Sequence, residues 1–367
     1  MSLPPVKWEH VQPNRTTALG RLKRPVTDLL MAMAWGARNE GVLERFQAPI
    51  EHVPLEPVFY QTEDGWTAPL WRYPAQPGST GEPIILASSL GLHHTAFDIH
   101  PDRSLVKHLH RCGFDVFLFT HRGSEDAVQP LGAVTFDFDD IVAHDIPAAL
   151  ATVKAVTGAK RVGWVGHGFG GQLLVGHLAT SHLDDISAAV TICAPVVFQK
   201  LGTVARRAAA VANMMPEHWR LPVRTVQSIL TLTARPGDLA RRTLRMEGPM
   251  ARSLLINCSE DLAVGLVKQV SRWHEVGHMV DRNNRFDYLG GIQGNRTPLL
   301  CLAAEDDEVC PPADTRPIVD ALADGAGEWR TLEGGWGHLD PVAGADAPRV
   351  VFPHLSTWLA GHHNRCW

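Results

Sequence analysis

The chain has 367 residues, of which 45% are hydrophobic and 20% charged, and its formal net charge is −5. That length and apolar fraction are enough for a large buried core and exclude a disordered chain. With an acidic balance and no run of Lys and Arg, nothing gathers phosphate backbones, so nucleic acid is not expected as a partner.

From the N-terminus, residues 1–10 lack a basic region followed by an apolar run, and no stretch reaches the roughly 18 apolar residues of a spanning helix. A cytoplasmic protein without stable membrane insertion is therefore expected. Residues 1–50 read as an N-terminal extension, with a helix over 26–42 that packs on the rest of the chain. Strands over 57–62 and 66–72 flank the turn Glu63-Asp64-Gly65, and a further strand covers Pro83–Ala87. A helix over 102–111, a strand over 115–120 and a helix over 139–157 follow. The run Val162-Gly163-Trp164-Val165-Gly166-His167 is a buried strand, and the glycines after it open a helix. A strand over 188–194 comes next. This strand–helix alternation predicts an α/β fold with a mostly parallel sheet covered on both faces.

Residues 196–295 break the alternation. Amphipathic pieces over 203–215 and 223–233, with an Arg-rich piece over 235–252, suggest a helical cap on a core made of residues 51–195 and 296–367. The arginines face either solvent or an anionic substrate group. In the cap, His274-Glu275-Val276-Gly277-His278 formally matches the H-E-x-x-H zinc pattern, but its glycine and the lack of a third-ligand context argue against zinc. No metal or cofactor is expected. Order returns with a strand over 298–304 and another over 329–332. Six cysteines (Cys112, Cys193, Cys258, Cys301, Cys310, Cys366) contain no CxxC pair, and several lie in apolar strand-like runs, so they read as core thiols.

The chemistry concentrates at the turn Gly166-His167-Gly168-Phe169-Gly170. A buried strand that ends in Gly-x-?-x-Gly and leads into a helix is the nucleophile elbow of an α/β-hydrolase, but its reactive slot holds Gly168. Glycine adopts the strained elbow conformation without penalty, so the turn is expected to survive without its attacking atom. The loop Ser88-Ser89-Leu90-Gly91-Leu92-His93-His94 follows the strand that supplies one oxyanion amide in this architecture, which makes Leu90 and Phe169 the expected oxyanion donors. Register in Glu305-Asp306-Asp307 favours Asp307 as the acid, and Gly334-Gly335-Trp336-Gly337 brings His338 above the elbow. The chain order elbow, acid, histidine is the one this fold uses. Ser89, His93 and His167 are candidate substrate contacts; His167 also reads as a packed neighbour of the strand, and Ser88 and Ser89 as turn residues before attacking groups. Cys193 reads as plain packing.

Phe97-Asp98-Ile99, Pro101-Asp102-Arg103-Ser104-Leu105-Val106 and Gly113-Phe114-Asp115-Val116-Phe117-Leu118 resemble polyhydroxyalkanoate synthases and their relatives. So do Phe138-Asp139-Asp140, Ala148-Ala149-Leu150 and the Gly166-x-x-x-Gly170-Gly171 spacing. Gly337-His338-Leu339-Asp340, Asp346-Ala347-Pro348 and Phe286-Asp287-Tyr288 are closer to acid lipases. The resemblance spans roughly residues 55–360, with 196–295 weakly included. It implies an α/β-hydrolase fold acting on a hydrophobic acyl or carbonyl-containing small molecule, as a monomer or homodimer. Those synthases carry Cys, and those lipases Ser, where this chain has Gly168. The favoured expectation is an enzyme without a covalent serine intermediate, in which His338 and Asp307 form a general-base pair over a backbone oxyanion hole, for acyl transfer, hydrolysis, or lyase or isomerase chemistry. Two alternatives stand beside it: an ordinary serine or cysteine esterase, lipase or acyltransferase whose nucleophile is replaced by glycine, and a non-catalytic small-molecule binding protein.

Overall fold

The computed structural model describes residues 56–132, 134–181, 184–199, 209–210, 212–225 and 245–363. The extension over 1–50 with its helix, most of the amphipathic pieces over 203–233, and Cys366 lie outside the described residues.

In chain order the sheet elements are β1 (Glu56–Gln61), β2 (Thr67–Tyr73), β3 (Pro83–Ala87), β4 (Asp115–Phe119), β5 (Val162–His167), β6 (Ile186–Ile192), a short antiparallel pair β7 (Arg220–Leu221) and β8 (Leu262–Ala263), then β9 (Leu299–Ala304) and β10 (Gly327–Leu332). Eight of them form one sheet in the order β1-β2-β4-β3-β5-β6-β9-β10. Contacts from β4 through β10 are parallel, while β1–β2 and β2–β4 are antiparallel. This is the mostly parallel, doubly covered sheet that the sequence predicts.

Residues on β3, β4, β5, β6 and β9 are all buried, which explains why these segments read as unbroken apolar runs. The period-2 alternation still sorts them between two faces. Ile85, Phe117, Trp164, Ala189 and Cys301 face one core, packed with Ala149, Leu150, Leu173 and Leu174. Ile84, Val116, Val165, Val190 and Leu302 face the other, packed with Leu105, Leu109, Leu355 and Leu359. The covering helices are α1 (Leu105–Arg111), α2 (Ile146–Thr157), α3 (Phe169–Thr180) and, at the C-terminal side, the helix Phe352–His363. The expected helix over 139–157 is not uniform: a helical turn at Phe138–Asp140 passes through a π-helical turn at Ile141–Asp145 before α2 begins.

Between β6 and β9 the described residues include α4 (Gly248–Asn257) and α5 (Val264–Val276). Trp273 of α5 is buried against Phe138, with ring centroids 4.8 Å apart, and Phe138 in turn meets Phe169 at 5.7 Å. Such edge-to-face pairs tie this segment to the head of α3. Among the described residues no helix is long and apolar enough to cross a membrane.

Candidate active site

The central strand β5 carries the chain into α3 through Gly168, whose φ of +50° and ψ of −111° are the strained turn the sequence predicts. The Gly168 amide donates to Ile192 on β6 at 2.8 Å, and its carbonyl accepts from Gly171 and Gln172 at 3.0 and 3.1 Å. The turn is thus clamped from both sides. Close approach behind it requires glycine again: a Cβ on Gly170 would overlap the backbone of Ala87 at the end of β3, so α3 packs directly on the sheet. As the first residues of α3, Phe169 and Gly170 carry amides with no carbonyl one turn before them. Those donors open beside Gly168.

Asp307 and His338 meet at this turn. His338 Nδ1 lies 2.7 Å from Asp307 Oδ2, while Asp307 Oδ1 accepts the amides of Val309 and Cys310, each at 2.8 Å. Burial pushes the Asp307 carboxyl up, but the His338 hydrogen bond, the charge of its imidazole and the two amides outweigh it, leaving the pKa below the ordinary carboxylate value. The neighbouring Asp306 instead gives its amide to the Trp336 carbonyl at 3.0 Å. With Nδ1–H directed at a carboxylate, the lone pair of the imidazole sits on Nε2. That atom lies 3.4 Å from the point where a Cβ on Gly168 would stand.

The loop bearing His338 is held by residues that sequence reasoning missed. Asp340 is fully buried and accepts the Gly337 amide at 2.7 Å. Arg245, one of the arginines expected at solvent or substrate, does neither: it reaches the carbonyls of Gly334 and Gly335, pairs with Asp346 at 2.8 Å, and stacks 4.6 Å over Trp336. Asp340 had a local signal, a carboxylate three residues after a glycine in a turn. Arg245 is 90 residues from its partner Gly335 and had none.

His167 does not stand as a substrate contact. It is buried, its Nε2 lies 2.9 Å from the His338 carbonyl, and its ring is 4.7 Å from the His338 ring, so it supports the histidine loop from beneath. Burial, with the nearby His338 charge, lowers its pKa to about 3 and keeps it neutral. His93 also has both ring nitrogens engaged, by Asp126 at 3.1 Å and Thr95 at 3.0 Å, and its amide donates to the Cys258 carbonyl at 2.6 Å. Although burial disfavours charge on His93, Asp126 with Glu260 and Glu125 outweighs it and raises the pKa. Leu90 is partly buried and packs against the core.

Ser89 lies next to the elbow. A Cβ on Gly168 would run into the Ser89 hydroxyl and would stand 3.0 Å from the Ser89 Cβ. Ser88, by contrast, turns its hydroxyl to the Leu92 carbonyl at 2.6 Å. The loop is pinned by Glu260, whose amide donates to the Gly91 carbonyl at 2.9 Å, and by Leu92, whose amide donates to the Ser89 carbonyl at 3.0 Å. Cys193 sits in the left-handed region at φ 48° beside Asp307. Burial drives its thiol pKa well above the ordinary value, with the Asp307 charge adding to the effect, so it stays protonated and is a poor nucleophile.

Two groups among the described residues bring metal-ligating atoms within 4.8 Å of one another: His93, His94 and Asp126, and Cys193, Asp307 and His338. In the first, Asp126 Oδ2 already meets His93 and the Trp71 indole, at 3.1 and 3.0 Å. The second is the imidazole–carboxylate pair with a neutral thiol beside it. The H-E-x-x-H match has lost its helical context, because α5 stops at Val276 and Gly277 caps it at φ 98°, leaving His278 beyond the helix. The described cysteines are free, with Cys193, Cys258, Cys301 and Cys310 buried and Cys112 exposed.

Comparison with known proteins agrees with this architecture. The chain is 31% identical over 133 residues to a tear acid lipase-like protein of Mesocricetus auratus, a match covering 33% of each chain. It is 30% identical over 133 residues to the gastric triacylglycerol lipase of Homo sapiens, covering 32% of this chain and 33% of the lipase. The match thus spans about a third of the length of these curated relatives. In three dimensions, a soluble variant of monoglyceride lipase from Saccharomyces cerevisiae, solved with a substrate analog, superposes with a TM-score of 0.62 at 17% identity, over 86% of this chain and 98% of that one. An esterase from Exiguobacterium antarcticum gives 0.58 at 14% identity, over 83% and 100%. A family model described as serine aminopeptidase, S33, matches residues 100–339, and by that match the chain belongs to this family of α/β-hydrolases.

Proposed function

We propose that this protein hydrolyses hydrophobic acyl esters with a His338–Asp307 general base and a backbone oxyanion hole, and that its elbow residue contributes no covalent nucleophile. The observation that carries the reading is His338 Nε2 facing the Gly168 turn while Nδ1 is anchored 2.7 Å from Asp307. In this reading, Nε2 takes the proton of an attacking oxygen, and Asp307 stabilises the resulting imidazolium. The negative charge that develops on the substrate carbonyl oxygen is met by the Phe169 amide at the head of α3 and by Leu90 from the loop after β3. His338 then returns the proton to the leaving alcohol. An oxyanion hole and binding alone leave roughly 10³–10⁴ of acceleration in a related hydrolytic system, so a site with no elbow nucleophile still has catalytic power.

An acyl substrate of apolar character is supported by the relatives, which are named as monoglyceride, triacylglycerol and acid lipases. Turnover of p-nitrophenyl esters of increasing acyl length tests the reading. Wild-type protein is expected to hydrolyse them, and His338→Ala to lose the activity. Equal rates in the two proteins would refute the assignment, and tight binding of the esters with no turnover in either would leave a binding protein instead.

A further inference from the structure

We propose that the Ser89 hydroxyl is the attacking nucleophile of this site, delivered from the loop after β3 into the volume that the elbow glycine leaves open. The proposal rests on the ester-hydrolase reading above and names the oxygen that His338 deprotonates.

Three observations converge on Ser89. Its hydroxyl occupies the position where the side chain of residue 168 would begin, so an elbow side chain and this placement of Ser89 exclude one another. Glycine at 168 is what makes the arrangement fit. His338 Nε2 approaches the same point to 3.4 Å, which puts base and hydroxyl on either side of one small volume. Finally, Ser89 is only half-buried, whereas Cys193 and His167, the other reactive side chains near the turn, are buried and held in their neutral forms. Among these groups, Ser89 combines a hydroxyl, a nearby base and access.

The loop geometry fixes the hydroxyl in place. The Ser89 carbonyl accepts the Leu92 amide, Ser88 ties the same turn from its other side, and the segment after α4 holds it through Glu260 and Cys258. An attacking group held this way needs no strained backbone of its own, because the strained position at the elbow is taken by glycine.

The steps balance with water as the only co-reactant. Oγ–H of Ser89 gives its proton to His338 Nε2 as the Oγ–C bond to the ester carbonyl forms. The oxyanion is held by the amides at the head of α3. The ester C–O bond then breaks, and the leaving alkoxide takes the proton from His338, leaving acyl-Ser89. A water deprotonated by His338 attacks that ester, and the Ser89 oxygen departs with the proton, which yields acid and alcohol.

The test treats the purified full-length protein with a fluorophosphonate, which modifies activated hydroxyls without matching any particular substrate, and maps the adduct by peptide mass spectrometry. In parallel, kcat for p-nitrophenyl butyrate is compared across wild type, Ser89→Ala, Ser88→Ala and His338→Ala, with folding checked by circular dichroism. Expected are an adduct on Ser89 in wild type and Ser88→Ala, no adduct in His338→Ala, and a fall in kcat of at least 10³-fold in Ser89→Ala. His338-dependent turnover that persists within tenfold in Ser89→Ala, with no adduct on Ser89, would overturn the nucleophile assignment alone and leave water as the attacker. Absence of both the adduct and His338-dependent turnover would overturn this proposal together with the ester-hydrolase reading.

Discussion

Replacing Gly168 by alanine separates the two physical roles of that position. At an ordinary backbone position a Gly→Ala change stabilises by about 0.4–1 kcal/mol, because alanine loses less freedom on folding. Here φ is +50° and ψ −111°, a conformation that costs an L-residue of order 1–3 kcal/mol. The new methyl would also meet the Ser89 hydroxyl and stand 3.0 Å from the Ser89 Cβ. Ser89 can turn its hydroxyl aside, at about 0.5–1.5 kcal/mol if it leaves a favoured rotamer, but its Cβ must also give by a few tenths of an ångström. Gly168→Ala is therefore expected to destabilise by about 1–4 kcal/mol, read as a lower midpoint in equilibrium urea denaturation followed by the fluorescence of buried tryptophans such as Trp164. Adding Ser89→Ala should recover the rotamer part, about 0.5–1.5 kcal/mol, and leave the backbone strain in place. Stabilisation by Gly168→Ala would refute the strained elbow, and strictly additive effects of the two changes would refute the contact between Ser89 and position 168.

Two further outcomes follow from the same geometry. Asp307→Asn places an amide where His338 Nδ1 meets a carboxylate, favouring the wrong tautomer, and is expected to reduce kcat on p-nitrophenyl esters on the order of 10⁴-fold while the circular dichroism spectrum is unchanged; a loss under tenfold would show that the pair does not act as base and orienter. His167, with its pKa lowered to about 3 in the folded protein, sets a pH dependence whose sign is fixed: below the unfolded value of about 6.5 the unfolded chain binds a proton that the native state refuses, so stability falls as pH drops from there toward 3. This residue alone is expected to contribute a slope of about 1.4 kcal/mol per pH unit across that window, and His167→Gln should flatten the acid limb of urea midpoints measured from pH 7 to 4. An unchanged slope would mean that His167 is charged in the folded state.

The sheet was legible because parallel strands buried on both faces leave long apolar runs, and β3, β4, β5, β6 and β9 all have that form. Expected boundaries moved by two residues at most where the end of a strand is indistinguishable from the turn beside it, as at β6, read over 188–194 and found at Ile186–Ile192. Asp307 and His338 were legible because each sits just past a strand, in a turn whose glycines or acids have few structural alternatives. The surroundings of the pair were not. His167 is adjacent to the elbow in sequence, yet its direction is set by the His338 carbonyl, 171 residues away. Likewise, His93 follows the oxyanion loop, but Asp126 and the Cys258 carbonyl decide where it goes. Sequence periodicity reports burial and local turns; it carries no information about which distant backbone carbonyl a ring nitrogen will find.

The relation between Gly168 and Ser89 bears on how such a site could hold a nucleophile at all. An elbow side chain is exposed by backbone strain, so the fold must oppose about 1–3 kcal/mol at the very residue that reacts. In this protein the turn is retained, with the Gly168 amide and carbonyl both bonded, and α3 still pressed on Ala87 through Gly170, but glycine removes the strain. What the turn still provides is the direction of α3, and hence the amides that would face a developing oxyanion. Base and amides therefore do not need the elbow side chain for their placement: His338 is positioned by Asp307, Asp340, Arg245 and His167, and the amides by the helix itself. A hydroxyl from the β3 loop enters that preformed arrangement from the side, and the residue that admits it is the one whose missing Cβ first made the site look empty.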